Sequence, residues 1–463
     1  MAKRLHEVRD AVHVFVSFDD DERRVIDSPA FQRLRHIHQL ALTYEVYPGA
    51  SHKRFEHSLG VMHLAGRVYD VITRADKISD PVRETIPVPN QSDYGYWRTV
   101  VRMAALCHDM GHLPFSHAAE DELLPAGVNH ERITWDIVHG EAMKEIFEDI
   151  TPSPKPEHVG KLAVGPRKAE RMGLNVSFSD WEAILAEVIV GDAFGVDRMD
   201  YLLRDSIHAG VQYGRFDHER LINTLRVIPE PRREEKETDE ATTPPVLGCE
   251  RGGLHSAEQL LLARYFMFSQ VYQHPTRLAY NEHLKDFLKA WLPDGLFPSD
   301  VDGHLSRDDA DVLAAIKSAA ADPDQPGHAP AQRIVTRNHF KKAYEKKADP
   351  EDHDDLRGDR SGDVRTLAEA ASEHFGADKV AYGAPPTNKP PDDFAVREGA
   401  SRGSVWAKGL SEVMRKLPQS PDEFVLADSE IRDEVSRWLE QHRARLLTEA
   451  RNQQIQQAEE EVA

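Results

Sequence analysis

The sequence predicts a mainly α protein, with a large helical core followed by a smaller α+β C-terminal domain. Two observations carry that expectation. From Asp10 to about Asn223 the chain reads as helices with few breaks, apolar residues recurring at helical spacing. After Gln332 the character changes to a basic stretch His339-Phe340-Lys341-Lys342, an acidic loop Asp349 to Asp363, a proline-rich stretch Pro385 to Pro391 and a strand-like run Phe424-Val425-Leu426.

Taken in order, the alternating Val12-His13-Val14-Phe15-Val16 suggests a strand. Apolar residues at 31, 34, 37 and 40 predict a helix, with Asp27-Ser28-Pro29 supplying a cap and a first-turn proline. Further helices are expected over Phe55 to Tyr69, over Tyr96 to Met110, and over Trp181 to Leu203 with an irregularity at Gly191 and Gly195. Pro229 to Pro245 and Ala321 to Gln332 read as surface loops, and Ser256 to Leu292 as helix belonging to the same core. The expected division is a core over 1–325 and a C-terminal domain over 326–463, whose last dozen residues from Arg451 are polar enough for a frayed or disordered helix end.

Composition narrows the function. Of 463 residues, 40% are hydrophobic and 30% charged, and no apolar run approaches the roughly 20 residues needed to span a bilayer. The N-terminus lacks the apolar segment of a signal peptide, so a cytoplasmic protein is expected. Cys107 and Cys249 are too few for a disulfide framework or a thiolate zinc site. A net charge of −21 opposes sequence-independent binding of nucleic acid while leaving room for a locally positive cleft and a small anionic substrate.

The densest chemistry lies in Leu106 to His117, where His108, Asp109, His112 and His117 fall within ten residues at an apolar helix end. His108 and His112 are four apart and would share a helix face, with Gly111 and Pro114 ending the helix. A buried aspartate needs a partner or a cation, and imidazole with carboxylate suits a divalent metal ion such as Mg, Mn, Fe or Zn. The plainer reading is helix capping plus satisfied core histidines.

His57, His108-Asp109 and Asp197 reproduce the H…HD…D ligand pattern, and in this the chain resembles the HD-domain phosphohydrolases. The stretches Asp27 to Arg35, Tyr47 to Gly60 and Val196 to Tyr201 are similar to the deoxynucleoside triphosphate triphosphohydrolases, in the branch that includes the vertebrate sterile-alpha-motif/HD enzyme. The similarity covers roughly residues 10 to 290. It implies a metal at His57, His108, Asp109 and Asp197, a catalytic group of His112, His117, Glu120 and His130, and a nucleotide substrate, expected to be a deoxynucleoside triphosphate. Glu120 stands where the vertebrate enzyme has aspartate. Arg54, Arg198 and Arg264 are implied as phosphate contacts, Gln39 and Leu40 as lining for the sugar, Asp205 as the 3′-hydroxyl contact, and Tyr272 as packing on C2′.

Spacing agrees with parts of this. Arg54 sits three before His57, and Asp197, Tyr201 and Asp205 repeat every four residues, a helix face roughly 12 Å long at about 1.5 Å per residue. Arg264 and Tyr272 are eight apart, again one face of a helix. The blander reading of Asp205 pairs it with Arg204 or Arg215 on the surface. Asp27, Gln32 and Arg35 match positions that bind an activating guanine nucleotide between subunits, which implies a homo-oligomer; alternatively they cap and solvate the first helix. The rival activities are an HD nuclease or phosphodiesterase acting on single-stranded nucleic acid, which would need a basic groove with stacking aromatics, and a silent nucleotide-binding scaffold.

Overall fold

The computed structural model describes residues 3–78, 82–89, 91–116, 120–231, 243–345, 361–384, 393–399, 403–417 and 423–462. Helices dominate, as expected for a mainly α chain. Nine strands are described: β1 (Leu5–Asp10), β2 (Val14–Asp19), β3 (Leu225–Pro229), β4 (Pro245–Glu250), β5 (Lys341–Glu345), β6 (Val380–Gly383), β7 (Ala395–Arg397), β8 (Ser404–Trp406) and β9 (Phe424–Ala427).

The chain divides into two compact units, and not by one cut near residue 325. The first comprises Met1–Met267, Leu296–Val312 and Pro390–Pro418; the second comprises Phe268–Gly295, Leu313–Lys389 and Gln419–Ala463. The reason lies in strand pairing. β4 is antiparallel to β3 and parallel to β7, and β7 pairs with β8, so a late segment completes the sheet of the first unit. The second half of the stretch Ser256 to Leu292 likewise belongs to the second unit.

The centre of the first unit is α1 (Arg54–Ile72), which packs on α2 (Ser92–Cys107), α3 (Asp180–Val190) and α4 (Val196–Ala209). Extended Lys53 starts α1, with its backbone N–H donating to Glu56 Oε1 at 2.9 Å, so His57 falls in the first turn. Leu59, Met62, Leu64, Val68 and Tyr69 are buried along it, each burial contributing on the order of 2 kcal/mol. Ser179 and Glu182 form a capping box at the start of α3. The irregularity expected at Gly191 and Gly195 is a full break between α3 and α4.

Three helical expectations are corrected. Residues 31–40 form only a short helix, Pro29–Gln32 with Ser28 as cap, and a 3-10 turn, Arg33–His36. Beyond it the backbone bonds elsewhere: Asp309 takes the His38 N–H at 2.7 Å and the His52 carbonyl takes that of Gln39 at 3.0 Å. The helix expected over Tyr96 to Met110 ends at Cys107. The last helix runs over Arg432–Val462 instead of fraying at Arg451.

In the second unit β9 lies between β5 and β6, both antiparallel to it, which bears out the strand expected at Phe424. The helices Ser361–Phe375 and Arg432–Val462 bury Leu367, Ala371, Val435 and Leu439 against this sheet. Helix Pro275–Trp291 contributes Leu278 and Ala279 to a separate cluster with Phe340, Phe424 and Leu426. The segments 349–360 and 385–391, expected as acidic and proline-rich loops, and most of the 229–245 loop lie outside the described residues. Among the described residues no helix is long and apolar enough to cross a membrane.

Candidate metal centre

Three local structures bring the candidate ligands together. The first turn of α1 carries His57, the end of α2 delivers His108 and Asp109, and the first turn of α4 carries Asp197. Donor atoms of His57, His108 and Asp197 lie within 4.8 Å of one another, a spacing compatible with one ion bonded at about 2.0–2.2 Å to each. His57 Nε2 is 3.1 Å from Asp197 Oδ1, and Asp109 joins them with Oδ1 3.2 Å from His108 Nε2 and Oδ2 3.7 Å from His57 Nε2.

The ring tautomers suit a cation. His108 Nδ1 donates to the Ala105 carbonyl at 2.8 Å, which turns the lone pair of buried Nε2 toward the carboxylates, where it makes no hydrogen bond. His57 Nδ1 donates to Asp200 Oδ2 at 2.8 Å, leaving Nε2 to face Asp197 and Asp109. The carboxylates favour positive charge at His57: burial opposes it, but Asp197 and Asp200 raise the pKa of the ring to about 10. For Asp109 burial is likewise outweighed, by Arg54, His108 and His112, which hold the carboxyl well below its usual range.

The turn after α2 explains its own sequence. A Cβ on Gly111 would lie 2.2 Å from the His130 carbonyl oxygen and 2.4 Å from the Thr134 nitrogen, so only glycine lets the helix that starts at His130 approach. His112 therefore leaves the helix face it was expected to share with His108, yet its Nε2 still sits 3.2 Å from Asp109 Oδ1. Phe115 and Ser116, both buried, hold left-handed φ of 56°. Such strain survives where the surroundings dictate it. Here Asp309 accepts the Phe115 N–H at 2.7 Å, and Ser116 Oγ accepts from Arg54 Nε at 2.7 Å.

His112 and His130 stack with ring centroids 3.9 Å apart and planes 16° from parallel. Glu120 Oε1 accepts from both Nδ1 and the backbone N–H of His130, each at 2.6 Å. Burial disfavours charge on both rings, and Arg54 and His130 hold His112 well below its usual pKa, whereas Glu120 and Glu131 raise His130. Ligand atoms of His112, Glu120 and His130 also lie within 4.8 Å of one another. Parallel rings and a carboxylate bonded to Nδ1 fit a neutral base beside a proton-holding acid better than a second ion site. His117 lies outside the described residues.

Residues 54–202 match the family model of the HD domain, and residues 216–382 that of the HD associated region. The chain thus carries an HD domain followed by an HD associated region. An uncharacterized protein of Methanocaldococcus jannaschii is 35% identical over 277 residues, which cover 58% of this HD protein and 46% of the relative. The deoxynucleoside triphosphate triphosphohydrolase SAMHD1 of Gallus gallus is 35% identical over 239 residues, 47% of this chain and 36% of that one. This HD protein thus spans about half the length of such relatives or less. A hypothetical protein from Aquifex aeolicus shares its structure with a TM-score of 0.70 and 28% identity, over 94% of this chain and 100% of that one.

The remaining expected site residues of the HD protein divide. Arg54 is buried and committed to Asp109 and Ser116. Arg198 and Arg264 are close enough that burial, then Arg198, lowers the Arg264 pKa to about 10. Tyr201 adjoins Arg198 on the same helix, and Gln39 and Leu40 are buried, Gln39 Oε1 without a hydrogen-bond partner. Asp205 is buried rather than superficial, and its Oδ1 lies 2.7 Å from His52 Nε2. Tyr272 does not continue the helix face of Arg264: that helix, Leu254–Met267, gives way to a π-helical turn, Phe268–Tyr272, in the second unit. Asp27 and Arg35 line a cavity of about 270 Å³ with His6, Val8, Phe55 and Leu59, while Gln32 Oε1 accepts from Arg35 Nε at 2.8 Å.

Several site residues escaped the sequence reading. Asp200 orients His57, His52 holds Asp205, and Lys168 pairs with Glu131 at 2.6 Å beside His130. Asp200 carried a signal, one helical turn after Asp197, and His52 stood inside a matching stretch; Lys168 carried none.

Proposed function

We propose that this protein is a metal-dependent phosphohydrolase that cleaves deoxynucleoside triphosphates to deoxynucleoside and triphosphate. The observation that carries the reading is the convergence of His57, His108, Asp109 and Asp197, with a buried, unbonded His108 Nε2 pointing among carboxylates. A divalent ion held there supplies a Lewis acid for the α-phosphate and an acidified water.

The chain's own groups do the rest. Half-buried Arg198 and buried Arg264 lie close enough for their charges to repel, and they receive phosphate oxygens and gain most when an anion lies between them. His112, kept neutral, takes a proton from the attacking water, and His130 holds one against Glu120. As the bond from phosphorus to the 5′ oxygen breaks, that oxygen takes up a proton, a step given to His117. His52 and Asp205 bind the 3′-hydroxyl side of the sugar, with Gln39 opposite.

The cavity beside Asp27 and Arg35 is proposed as one side of an activating guanine-nucleotide site in a homo-oligomer. A panel of the four deoxynucleoside triphosphates, their ribonucleotide counterparts and single-stranded oligonucleotides, each under Mg or Mn and read by chromatography, tests the function. Triphosphate plus deoxynucleoside is the expected product, absent in Asp109→Ala. Oligonucleotide cleavage without triphosphate release overturns the reading. Sizing with and without GTP tests the oligomer, which a persistent monomer refutes.

A further inference from the structure

The turn joining β1 to β2 carries two buried side chains that the proposed reaction does not use, Asp10 and His13. His13 is 1% exposed at its side chain, and its Nε2 lies 2.7 Å from Asp200 Oδ1, a residue 187 positions away in the chain. Asp200 is itself fully buried. Its Oδ2 takes His57 Nδ1 at 2.8 Å and Arg204 Nε at 2.8 Å, and its Oδ1 also takes Arg204 Nη2 at 3.0 Å. Four donors on two oxygens fill the carboxylate, so it has no freedom to rotate. Arg204 is fixed from its far end by Asp10 Oδ2, 2.8 Å from Nη1.

The turn is strained in a way that its own packing does not explain. Val14, a β-branched residue, has a left-handed φ of 64° and is 56% exposed, so its side chain offsets little of the cost. What the conformation achieves is the placement of its neighbours: Asp10 Oδ1 accepts the N–H groups of Val12 at 2.8 Å and His13 at 2.9 Å, and the His13 ring then points inward. The approach is close on the other side as well. A Cβ on Gly60 would lie 1.9 Å from Asp200 Oδ1, so α1 must pass Asp200 without a side chain.

We propose that the β1–β2 turn is a positioning element for the ligand cluster: His13 and Asp10, acting through Asp200 and Arg204, fix the tautomer and direction of His57 and thereby set how tightly the site holds a divalent ion. A partner on Nδ1 keeps the proton there and the lone pair on Nε2, and loss of such partners typically weakens metal binding about 10- to 100-fold. The inference rests on His57 being a metal ligand.

Equilibrium titration of the metal-free full chain with Mn²⁺ alone, against a competing chelator, tests it. His13→Ala is expected to weaken binding by about 10- to 100-fold, and His13→Gln, whose amide can still donate to Asp200, to recover most of the loss. Asp10→Asn should weaken it through Arg204 and decides the matter if His13→Ala does not fold. Melting of the metal-free proteins, with the core variant Val159→Ala as a control of matched stability, separates positioning from general loosening. Wild-type affinity in His13→Ala or in Asp10→Asn overturns the inference alone, as does an equal loss in Val159→Ala. A wild type that binds no Mn²⁺, or an Asp109→Ala variant that binds it normally, overturns the metal reading and this inference with it.

Discussion

A methyl group at residue 60 is enough to test how tightly the ligand cluster is built. Its carbon would fall 1.9 Å from Asp200 Oδ1 and 2.6 Å from Arg204 Nη2, both on fully bonded buried groups that have nowhere to move. Gly60→Ala is therefore expected to destabilise by about 1–3 kcal/mol or more, seen as a lower Tm, and to weaken Mn²⁺ binding because Asp200 must tilt. An unchanged Tm would refute this account of the packing. Asp205→Ala should now cost stability as well as turnover, about 1–3 kcal/mol, since it strands buried His52; urea denaturation reads that loss. At this scale the candidate ligands were legible: His108 and Asp109 because packing does not explain so many histidines at one helix end, His57 and Asp197 through the resemblance to the H…HD…D pattern. Their supports were not. Nothing near His13 or His52 in the chain announces an aspartate more than 150 residues away, because such pairs are specified by helix packing and not by local spacing.

Elements show where periodicity succeeds and where it misleads. Ser179 Oγ accepts the Glu182 N–H while Glu182 returns to the Ser179 N–H at 2.8 Å, so Ser179→Ala should cost about 1 kcal/mol by chemical denaturation. α1 was readable from apolar residues at helical spacing, and α3 and α4 were readable as one helix with an irregularity at Gly191 and Gly195, where the break lies. Residues 31–40 were not, and the cause is visible in hindsight: apolar residues at 31, 34, 37 and 40 recur every three, the period of a 3-10 helix, in which longer runs are uncommon. His38 instead spends its N–H on Asp309, a bond invisible to any local window. Arg264 and Tyr272 fail for a related reason, since the π-helical turn between them changes the angle per residue.

For the whole molecule, acid is the informative perturbation. Burial depresses His304 in the first unit and His283 in the second to about 3, and the Phe340 N–H donates to His283 Nε2 at 3.1 Å, which requires the neutral ring. In the unfolded chain both titrate near 6.5. Between those values the unfolded state binds more protons, so stability is full above about pH 6.5 and falls as pH drops toward 3, by up to about 1.4 kcal/mol per unit for each histidine. His283→Gln keeps an acceptor and cannot ionise. Its Tm should fall less steeply than wild type between pH 7 and 4, and parallel curves would refute the assignment.

The pairing of β4 with β7 also has a consequence for how the protein is made. β4 ends at residue 250, but its parallel neighbour begins at residue 395, so on the ribosome the first part of this sheet is synthesised long before the strands that complete it. Until then β4 presents an unpaired edge, with buried Cys249 at its centre, the kind of edge that recruits other chains. A chain ending at residue 325 keeps every proposed ligand and still freezes that unfinished state. It should partition into the insoluble fraction on expression where the full chain does not, and nascent chains stalled before residue 406 should remain protease-sensitive around β4. A cut at residue 325 thus separates β4 from its partner, because the sheet of the first unit becomes whole only once residue 406 has been made.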